Sequence, residues 1–354
     1  MEILLEEFYK TDLIVEKYHD RKTFIDEKSY HIRGVTHTGK TKLVKNYLLT
    51  LKKSTYLYID CNDTRIDIDL LNKSLPSFIN KNKIYVLALD NYTNYIDIPN
   101  ISQLLLISQK KLNIDFLDTI IMFPLDYEEF LAFEHKYDST ALNHFFQLGG
   151  FTHMHKIASD SRNISLQNIL RVSLNEVEFD IVCICAKFVS LKLSPYNIYE
   201  RLKLYRKISK DKLYRSFQEL VDMGYIHILE KFNSKKAIKK VYLCDISLKS
   251  ALSIEKNFAK LFENMIYLEL LKSSTQCYYD DDIDFYIPKN NEIILCKPFV
   301  DERRLFKKLE SIEAFIFTHS ITNVTVITMN KEGSISHPLS KIDIIPFDIW
   351  ALGD

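Results

Sequence analysis

The chain has 354 residues, and 47% of them are hydrophobic, which is enough for two or three packed domains. Lysine plus arginine and aspartate plus glutamate number 47 each, so the net charge excludes a uniformly basic protein and any basic surface has to be local. No apolar run is as long as a membrane-spanning helix, and the six cysteines show no metal-ligand spacing. These features predict a cytoplasmic protein with reduced thiols and no membrane partner.

The first part of the chain contains a strand, a loop and a helix in succession. Residues 1–27 are predicted to form one or two helices, and Ser29–Arg33 has the composition of a short strand. The next eight residues follow the pattern G-x-x-x-x-G-K-T without a mismatch, and Thr41–Leu51 then has apolar residues at helical spacing. A phosphate-binding P-loop requires this context. The loop consists of Gly34, Val35, Thr36, His37, Thr38, Gly39, Lys40 and Thr41.

Each position of this pattern has a physical task. Glycine lets the backbone curl so that its N–H groups converge on phosphate oxygens, and the positive N-terminal end of the helix faces the same anion. Lys40 is expected to reach the β- and γ-phosphates, and the Thr41 hydroxyl is expected to hold Mg²⁺. The sequence therefore predicts ATP and Mg²⁺ as ligands. The alternative is a chance match in a turn, which is rare between a strand and a helix.

Two further strands are predicted after the P-loop, with a helix over Leu70–Ile79 between them. Thr55–Asp60 alternates in polarity, and Lys83–Asp90 is a continuous apolar run that suits a buried parallel strand. Ligands gather at the carboxyl ends of the strands in open α/β sheets, and Asp90 ends this run. We therefore interpret Asp90 as the Walker B acid that holds Mg²⁺ together with Thr41. The alternative is that Asp90 caps a following helix.

Two polar residues near the predicted phosphate site bear on hydrolysis. P-loop ATPases of the AAA+ type usually carry glutamate after the Walker B acid, whereas this chain has Asn91. An amide can hydrogen-bond a water molecule but cannot act as a base, so we expect ATP binding with slow or absent hydrolysis. Ser108 ends a further predicted strand, Leu104–Ser108, and is either a sensor of the γ-phosphate or a strand-end cap.

Three short segments resemble the signature of one family. Residues 124–130, PLDYEEF, resemble the PLSFxEF motif of prokaryotic AAA+-like ATPases that carry a C-terminal domain of unknown function. Residues 60–65 and 149–152 are similar to that family's DDPR and GGFP turns. The resemblance implies an ATPase core over residues 1–150 and a helical lid or connector over residues 151–175. The Gly-Arg pair that family members often carry before the Pro-Leu segment is absent, so no arginine finger is assigned and support for a ring-shaped oligomer is weakened.

Residues 176–245 are predicted to form a winged helix. Three helices are expected over residues 180–189, 194–204 and 209–223, and a hairpin follows around residues 233–236. Basic residues are dense here, which suggests phosphate contacts with DNA, although winged helices also serve as protein contacts and lysine is abundant throughout the chain. The candidates for nucleic-acid contact are Arg206, Lys207, Lys210, Lys212, Arg215, Lys235 and Lys236, with Arg201, Lys203, Lys239 and Lys240 beside them.

Residues 246–354 resemble the C-terminal domain of the same family. Residues 263–270, ENMIYLEL, are similar to its ENxVYxEL helix, and the strands that follow resemble its EVDF and (E/Q)xK strands. The resemblance implies a PD-(D/E)XK nuclease-like fold, in which acids hold Mg²⁺ and a lysine positions water. Glu263, Asp284 and Lys297 match this pattern, but the apolar Leu295 stands where a metal ligand is expected. We therefore expect an inactive site whose fold serves packing or a protein partner.

The sequence thus predicts an α/β multidomain protein. A P-loop parallel sheet is followed by a connector, a winged helix and a degenerate nuclease-like domain. The leading functional hypothesis is an ATP-dependent switch with slow turnover. The alternatives are a DNA-binding regulator in which nucleotide is structural and, less favoured, a metal-dependent nuclease.

Overall fold

The chain folds into two compact units, which divide between Phe123 and Pro124. The computed structural model describes residues 1–15 and 19–353. The first unit ends earlier than the ATPase core expected over residues 1–150, because the segment after Pro124 packs with the second unit. The finer divisions at residues 151, 176 and 246 stay predictions.

The first unit is built on one parallel sheet of five strands. The strands follow the order β2-β3-β4-β1-β5, so the strand before the P-loop and the strand that ends in Asp90 are separated by one neighbour. This arrangement is typical of P-loop proteins and confirms the predicted α/β parallel sheet. The elements are α1 (Glu2–Lys10), β1 (Tyr30–Arg33), α2 (Lys40–Leu49), β2 (Tyr56–Asp60), α3 (Ile68–Asn82), β3 (Val86–Asp90), β4 (Gln103–Ser108) and β5 (Asp118–Ile121).

Burial explains why the sequences of the central strands are nearly continuous apolar runs. Every residue of β3 and β4 is buried, because helices and loops cover both faces of the sheet. The helix α3 extends beyond the predicted limits and continues through Pro76, since Leu71, Leu75 and Phe78 pack into the core. Of the one or two helices expected within residues 1–27, α1 is present, and residues 16–18 lie outside the described part of the chain.

The first half of the second unit is mostly helical. A small antiparallel sheet of order β6-β8-β7 stands beside the helices. The three helices and the hairpin expected within residues 176–245 are present, together with the short strand β6, which was not predicted. The elements are α4 (Tyr127–Glu134), α5 (Ala141–Leu148), α6 (Arg162–Ser173), α7 (Glu176–Lys187), β6 (Leu191–Lys192), α8 (Pro195–Leu202), α9 (Lys210–Met223), β7 (Ile226–Leu229) and β8 (Lys240–Leu243).

The second half of this unit contains a mixed sheet of six strands. Its order is β13-β14-β12-β11-β10-β9, and the three strands β11, β12 and β14 run parallel. Among the helices of the described residues, none has the length and apolarity needed to cross a membrane. The elements are α10 (Ser247–Leu252), α11 (Phe258–Lys272), β9 (Tyr278–Asp280), β10 (Ile283–Ile287), β11 (Glu292–Cys296), α12 (Glu302–Thr318), β12 (Asn323–Thr328), β13 (Gly333–Ile335), β14 (Lys341–Pro346) and α13 (Phe347–Leu352).

The segments that resemble family motifs in this unit have structural tasks. The Asp126 side chain accepts a hydrogen bond from the Glu129 amide and so caps α4. At the paired glycines, the Gly150 amide donates to the buried Asp245 carboxylate over 2.6 Å. Gly149 has a φ of +67°, and a Cβ atom there would lie 2.1 Å from Asp245 Oδ1. The close approach of Asp245 leaves room only for glycine at position 149. This explains why one of only seven glycines in the chain stands there.

Candidate functional site

The loop between β1 and α2 forms a tight cradle at the carboxyl edge of the parallel sheet. Gly34 has a φ of +152°, and a Cβ atom there would lie 2.2 Å from the Met122 carbonyl oxygen, so the loop requires glycine at this point. Gly39 has a φ of +94° and is the residue from which α2 begins. The buried Thr38 hydroxyl donates to the Val35 carbonyl oxygen over 3.0 Å and braces the loop from within.

Lys40 lies folded onto this loop. Its ammonium donates to the carbonyl oxygens of Gly34 and Val35 over 2.8 and 2.7 Å. Burial lowers the pKa of Lys40 to about 8, and the charge of Asp90 opposes this shift. The loop thus holds a cation at its centre, at the N-terminal end of a helix, which is an environment suited to an anion.

Thr41 and Asp90 meet across the sheet edge, as the sequence predicted from separate motifs. The Thr41 hydroxyl donates to Asp90 Oδ2 over 2.6 Å, and Asp90 is buried at the end of β3. The Tyr58 hydroxyl donates to the same carboxylate oxygen over 2.7 Å. Burial, with the Asp90 charge second, raises the pKa of Tyr58, so the phenol stays a donor at neutral pH. A hydroxyl and a carboxylate oxygen side by side are suitable ligands for Mg²⁺.

Asn91 follows Asp90 and lies between it and Asp60 at the end of β2. Its φ is +55°, a conformation that asparagine tolerates better than most residues. Its amide N–H donates to Asp90 Oδ1 over 2.9 Å, and its side-chain amide donates to Asp60 Oδ1 over 2.9 Å. Asp60 and Asp90 are register partners at the ends of β2 and β3. Asn91 is therefore hydrogen-bonded between two acids.

Ser108 lies at the end of β4, opposite Arg33 in the neighbouring strand. Its hydroxyl donates to the Lys110 carbonyl oxygen over 2.8 Å, and His31 Nε2 lies 2.8 Å from the same hydroxyl oxygen. Because the hydroxyl proton is used, His31 Nε2 acts as the donor in this pair. Burial, with the Arg33 charge second, lowers the pKa of His31 to about 4. These contacts favour the strand-end cap over the sensor as the role of Ser108.

Arg21 is a residue of this site that sequence reasoning missed. Its guanidinium donates to the Thr38 carbonyl oxygen and to the Phe123 carbonyl oxygen, each over 2.9 Å. One Arg21 nitrogen lies 3.8 Å from the position that a Cβ atom would take on Gly39. Arg21 thus braces the loop from the segment before β1 and adds a positive charge beside it. Tyr58 was missed as well, although its place two residues before Asp60 puts it at the same strand end.

The residues expected to contact nucleic acid do not form a uniform group. Arg206 donates to Asp180 and Glu176 over 2.7 Å each, so its charge is paired with two acids of α7. Lys240, which was grouped with the basic residues of the hairpin, is buried against Glu263 and cannot contact nucleic acid there. The other candidates are exposed: Lys207, Lys210, Lys212, Arg215, Lys235 and Lys236.

The three nuclease-like residues do come close together in the second unit. Glu263 lies on α11, Asp284 on β10, and Lys297 follows β11 with its ammonium 4.0 Å from Asp284 Oδ2. Leu295 is fully buried in an apolar cluster and offers no oxygen ligand. Within the described residues no group of three or more histidine, cysteine, aspartate or glutamate side chains is arranged to hold a metal ion.

Proteins similar to this chain occur in Methanocaldococcus jannaschii, Pyrococcus abyssi and Aeropyrum pernix. No family model matches the chain. An uncharacterised protein of Methanocaldococcus jannaschii, MJ1544, is 26% identical over 396 residues, covering 93% of this chain and 89% of that protein. Among solved structures, the Walker-type ATPase PABY2304 of Pyrococcus abyssi gives a TM-score of 0.44 at 13% identity, covering 63% of this chain and 90% of that chain. The Aeropyrum pernix Orc1 protein, solved in complex with DNA, gives a TM-score of 0.30 at 15% identity, covering 66% of this chain and 88% of that chain.

Proposed function

We propose that the first unit binds ATP together with Mg²⁺ and works as a nucleotide-dependent switch with slow turnover. The observation that carries this proposal is the meeting of Thr41 and Asp90 at 2.6 Å, directly beside the glycine-braced loop. The two residues come from separate sequence motifs 49 positions apart, and a phosphate-bound Mg²⁺ needs both at one place.

Different residues of the site would contact the phosphates and the Mg²⁺ ion. The backbone N–H groups at the start of α2 would face the phosphates, and Lys40 would exchange its two carbonyl partners for phosphate oxygens. Thr41 and Asp90 would hold Mg²⁺, which neutralises phosphate charge when bound. The buried setting strengthens these charge interactions because water competes less there.

Slow turnover is proposed from the chemistry of Asn91. Its side-chain amide donates to Asp60, and it has no basic group that could take a proton from water. A nucleotide site with an amide where AAA+ ATPases usually carry glutamate favours long-lived binding over rapid hydrolysis. In this proposal ATP binding and release, rather than continuous turnover, change the state of the protein.

Titration of the purified full chain with ATP and with ADP tests the proposal, with and without Mg²⁺. Phosphate release is followed in the same samples. The expected result is saturable ATP binding that Mg²⁺ strengthens, with little phosphate released during the measurement. Absence of ATP binding would refute the proposal, and rapid phosphate release would refute the slow switch while leaving the binding site intact.

A second candidate function is DNA contact by the second unit. The order α7-β6-α8-α9-β7-β8, with β6 paired to β8, supports interpreting residues 176–245 as a winged helix. The six exposed basic residues just before α9, on α9 and on the hairpin loop favour contact with a polyanion. An inactive nuclease-like domain over residues 246–354 stays part of this interpretation, and it could serve as a protein contact.

A salt series of DNA-binding measurements separates this candidate from a protein-contact role. Replacing Lys235 and Lys236 by alanine is expected to lower the slope of log affinity against log salt by about two. The matched control replaces the exposed Lys289 and Lys307 by alanine elsewhere in the same unit and is expected to keep the slope. Affinity that is equal in all three proteins would argue against the wing as a DNA contact.

A further inference from the structure

A buried carboxylate is the centre of a charged cluster in the second unit. Glu263 on α11 is 2% exposed, and its Oε1 atom accepts hydrogen bonds from the Lys240 ammonium over 2.7 Å and from the Tyr242 hydroxyl over 3.0 Å. Its Oε2 atom accepts from the Lys260 ammonium over 2.7 Å. Both carboxylate oxygens are therefore occupied by donors of the chain itself.

Asp284 provides the second acid of the cluster. Its Oδ1 atom lies 3.9 Å from the Lys240 ammonium, and its Oδ2 atom accepts from the Cys296 amide over 2.8 Å. The Lys297 ammonium lies 4.0 Å from Oδ2. The Lys240 ammonium is thus within 4.0 Å of one oxygen from each acid, which is the position between two carboxylates that a bridging cation takes.

The charge balance of the cluster favours this arrangement without a metal ion. Three lysines, Lys240, Lys260 and Lys297, face two carboxylates, so the formal sum is already positive. Burial disfavours the Lys240 ammonium, and the two carboxylates that it faces over 2.7 and 3.9 Å offset that cost. A divalent cation would add further positive charge at short range, which Coulomb repulsion opposes.

The chain also supplies few of the oxygen ligands that Mg²⁺ requires, so water would have to complete the set if the ammonium were absent. A hard cation takes about six oxygen ligands, and the buried Leu295 supplies none. We propose that the Lys240 ammonium is the resident cation of the Glu263–Asp284 cluster and takes the place that a divalent metal ion would otherwise occupy. The cluster then joins β8 to α11 and β10 through one ion-pair network whose central pair, Lys240 and Glu263, is buried.

This proposal gives the nuclease-like residues a role that requires no metal. Removing one partner from a buried ion pair leaves an uncompensated charge, which is strongly destabilising. Lys240 therefore compensates the charge of the two acids, and the acids compensate the charge of Lys240. The second unit would keep the acids of a metal site while its own lysine supplies the positive charge.

Binding of Mn²⁺ to the nucleotide-free full chain, followed by electron paramagnetic resonance, tests the proposal. The first comparison is between the natural protein and Asp284→Asn. Equal Mn²⁺ binding by these two proteins supports the proposal, because the cluster then holds no metal ion. Loss of a Mn²⁺ site in Asp284→Asn would overturn it. This comparison decides the question even where other variants fail to fold.

The second comparison removes the ammonium but keeps its aliphatic stem. Lys240→Met is expected to gain a Mn²⁺ site at the cluster. The affinity of the cluster for Mn²⁺ is expected to be roughly tenfold or more higher in this variant than in the natural protein. Addition of Asp284→Asn to Lys240→Met is expected to abolish the gained site. The matched control is Lys260→Met, which also removes a Glu263 partner but leaves Lys240 in place, and it is expected to gain none. A folded Lys240→Met without the new site, or the same gain in Lys260→Met, would contradict the proposal.

Discussion

The Thr41 hydroxyl donates a hydrogen bond of 2.6 Å to the Asp90 carboxylate, joining the start of α2 to the end of β3. The same carboxylate oxygen also accepts from the Tyr58 hydroxyl. Two neutral donors hold the acid in place without neutralising it. The contact therefore leaves a preorganised carboxylate beside the loop, and in the proposed function a cation would take the place of one of the hydroxyls.

Asp90→Asn is expected to remove most of the contribution of Mg²⁺ to ATP binding. The amide offers a poorer ligand to a hard cation, so we expect ATP affinity in the presence of Mg²⁺ to fall by about tenfold or more. Calorimetric titration with and without Mg²⁺ measures the effect. Tyr58→Phe is the matched control, since it removes a neighbouring hydroxyl but keeps the carboxylate. An Asp90→Asn protein with the natural Mg²⁺ dependence would contradict the assignment.

ATP affinity is expected to fall as the pH rises through about 8, where burial has placed the pKa of Lys40. In the proposed function phosphate binds the charged ammonium, and the free protein loses that charge above this pH. The same shift acts on stability with the opposite sign. Between about pH 8 and the ordinary lysine range, the unfolded chain holds the proton and the folded chain does not, so this group makes the free energy of unfolding rise with pH.

Titrations of ATP between about pH 7.5 and 9.5 check this dependence. In Lys40→Met the residual affinity is expected to be independent of pH over this range, because the titrating group is gone. A natural protein whose affinity stays constant up to about pH 9.5 would show that Lys40 does not titrate at the phosphate site.

Asn91→Glu is expected to raise the rate of phosphate release by about tenfold or more, because a carboxylate can accept a proton from the attacking water and an amide cannot. Steady-state phosphate release at saturating ATP measures the change. Asn91→Ala is the control, and it is expected to keep the slow rate of the natural protein since neither side chain is a base. If glutamate leaves the rate unchanged, Asn91 is not the residue that limits turnover.

Gly149→Ala is expected to lower the free energy of unfolding of the second unit by about 2 kcal/mol or more. The added methyl group would lie 2.1 Å from Asp245 Oδ1, at a backbone φ of +67°. Gly333→Ala is the matched control in the same unit, because no atom lies within 4 Å of its added methyl group. That variant is expected to change stability by less than about 0.5 kcal/mol. Urea unfolding measures both, and equal effects would contradict the close approach at Gly149.

Local patterns predicted the parts of the candidate site that follow one another in the chain. The strand, the glycine loop and the helix up to Thr41 form a continuous motif, and Asp90 ends an apolar run that is characteristic of a central parallel strand. The third helix of the expected winged helix was located between its Ser209 cap and Gly224, since both signals are local.

Residues that act through long-range contacts were missed. Arg21 reaches Phe123 across 102 positions of sequence, and its segment before β1 has no pattern that indicates a partner. Lys240 was grouped with the exposed lysines of the hairpin, because composition does not reveal that Glu263 lies opposite it in the fold. Only the strand pairing and packing of the folded chain bring such residues together.

The proposed function depends most directly on binding of nucleotide phosphate by the loop ammonium of Lys40. Its most direct test is the ATP affinity of Lys40→Ala beside that of Lys42→Ala, which removes an exposed lysine two residues further along the same helix. We predict that Lys40→Ala weakens Mg²⁺–ATP binding by about a hundredfold or more and that Lys42→Ala stays close to the natural protein. Equal affinity of the Lys40→Ala and natural proteins would contradict the account, because ATP would then bind without the residue on which the loop is centred.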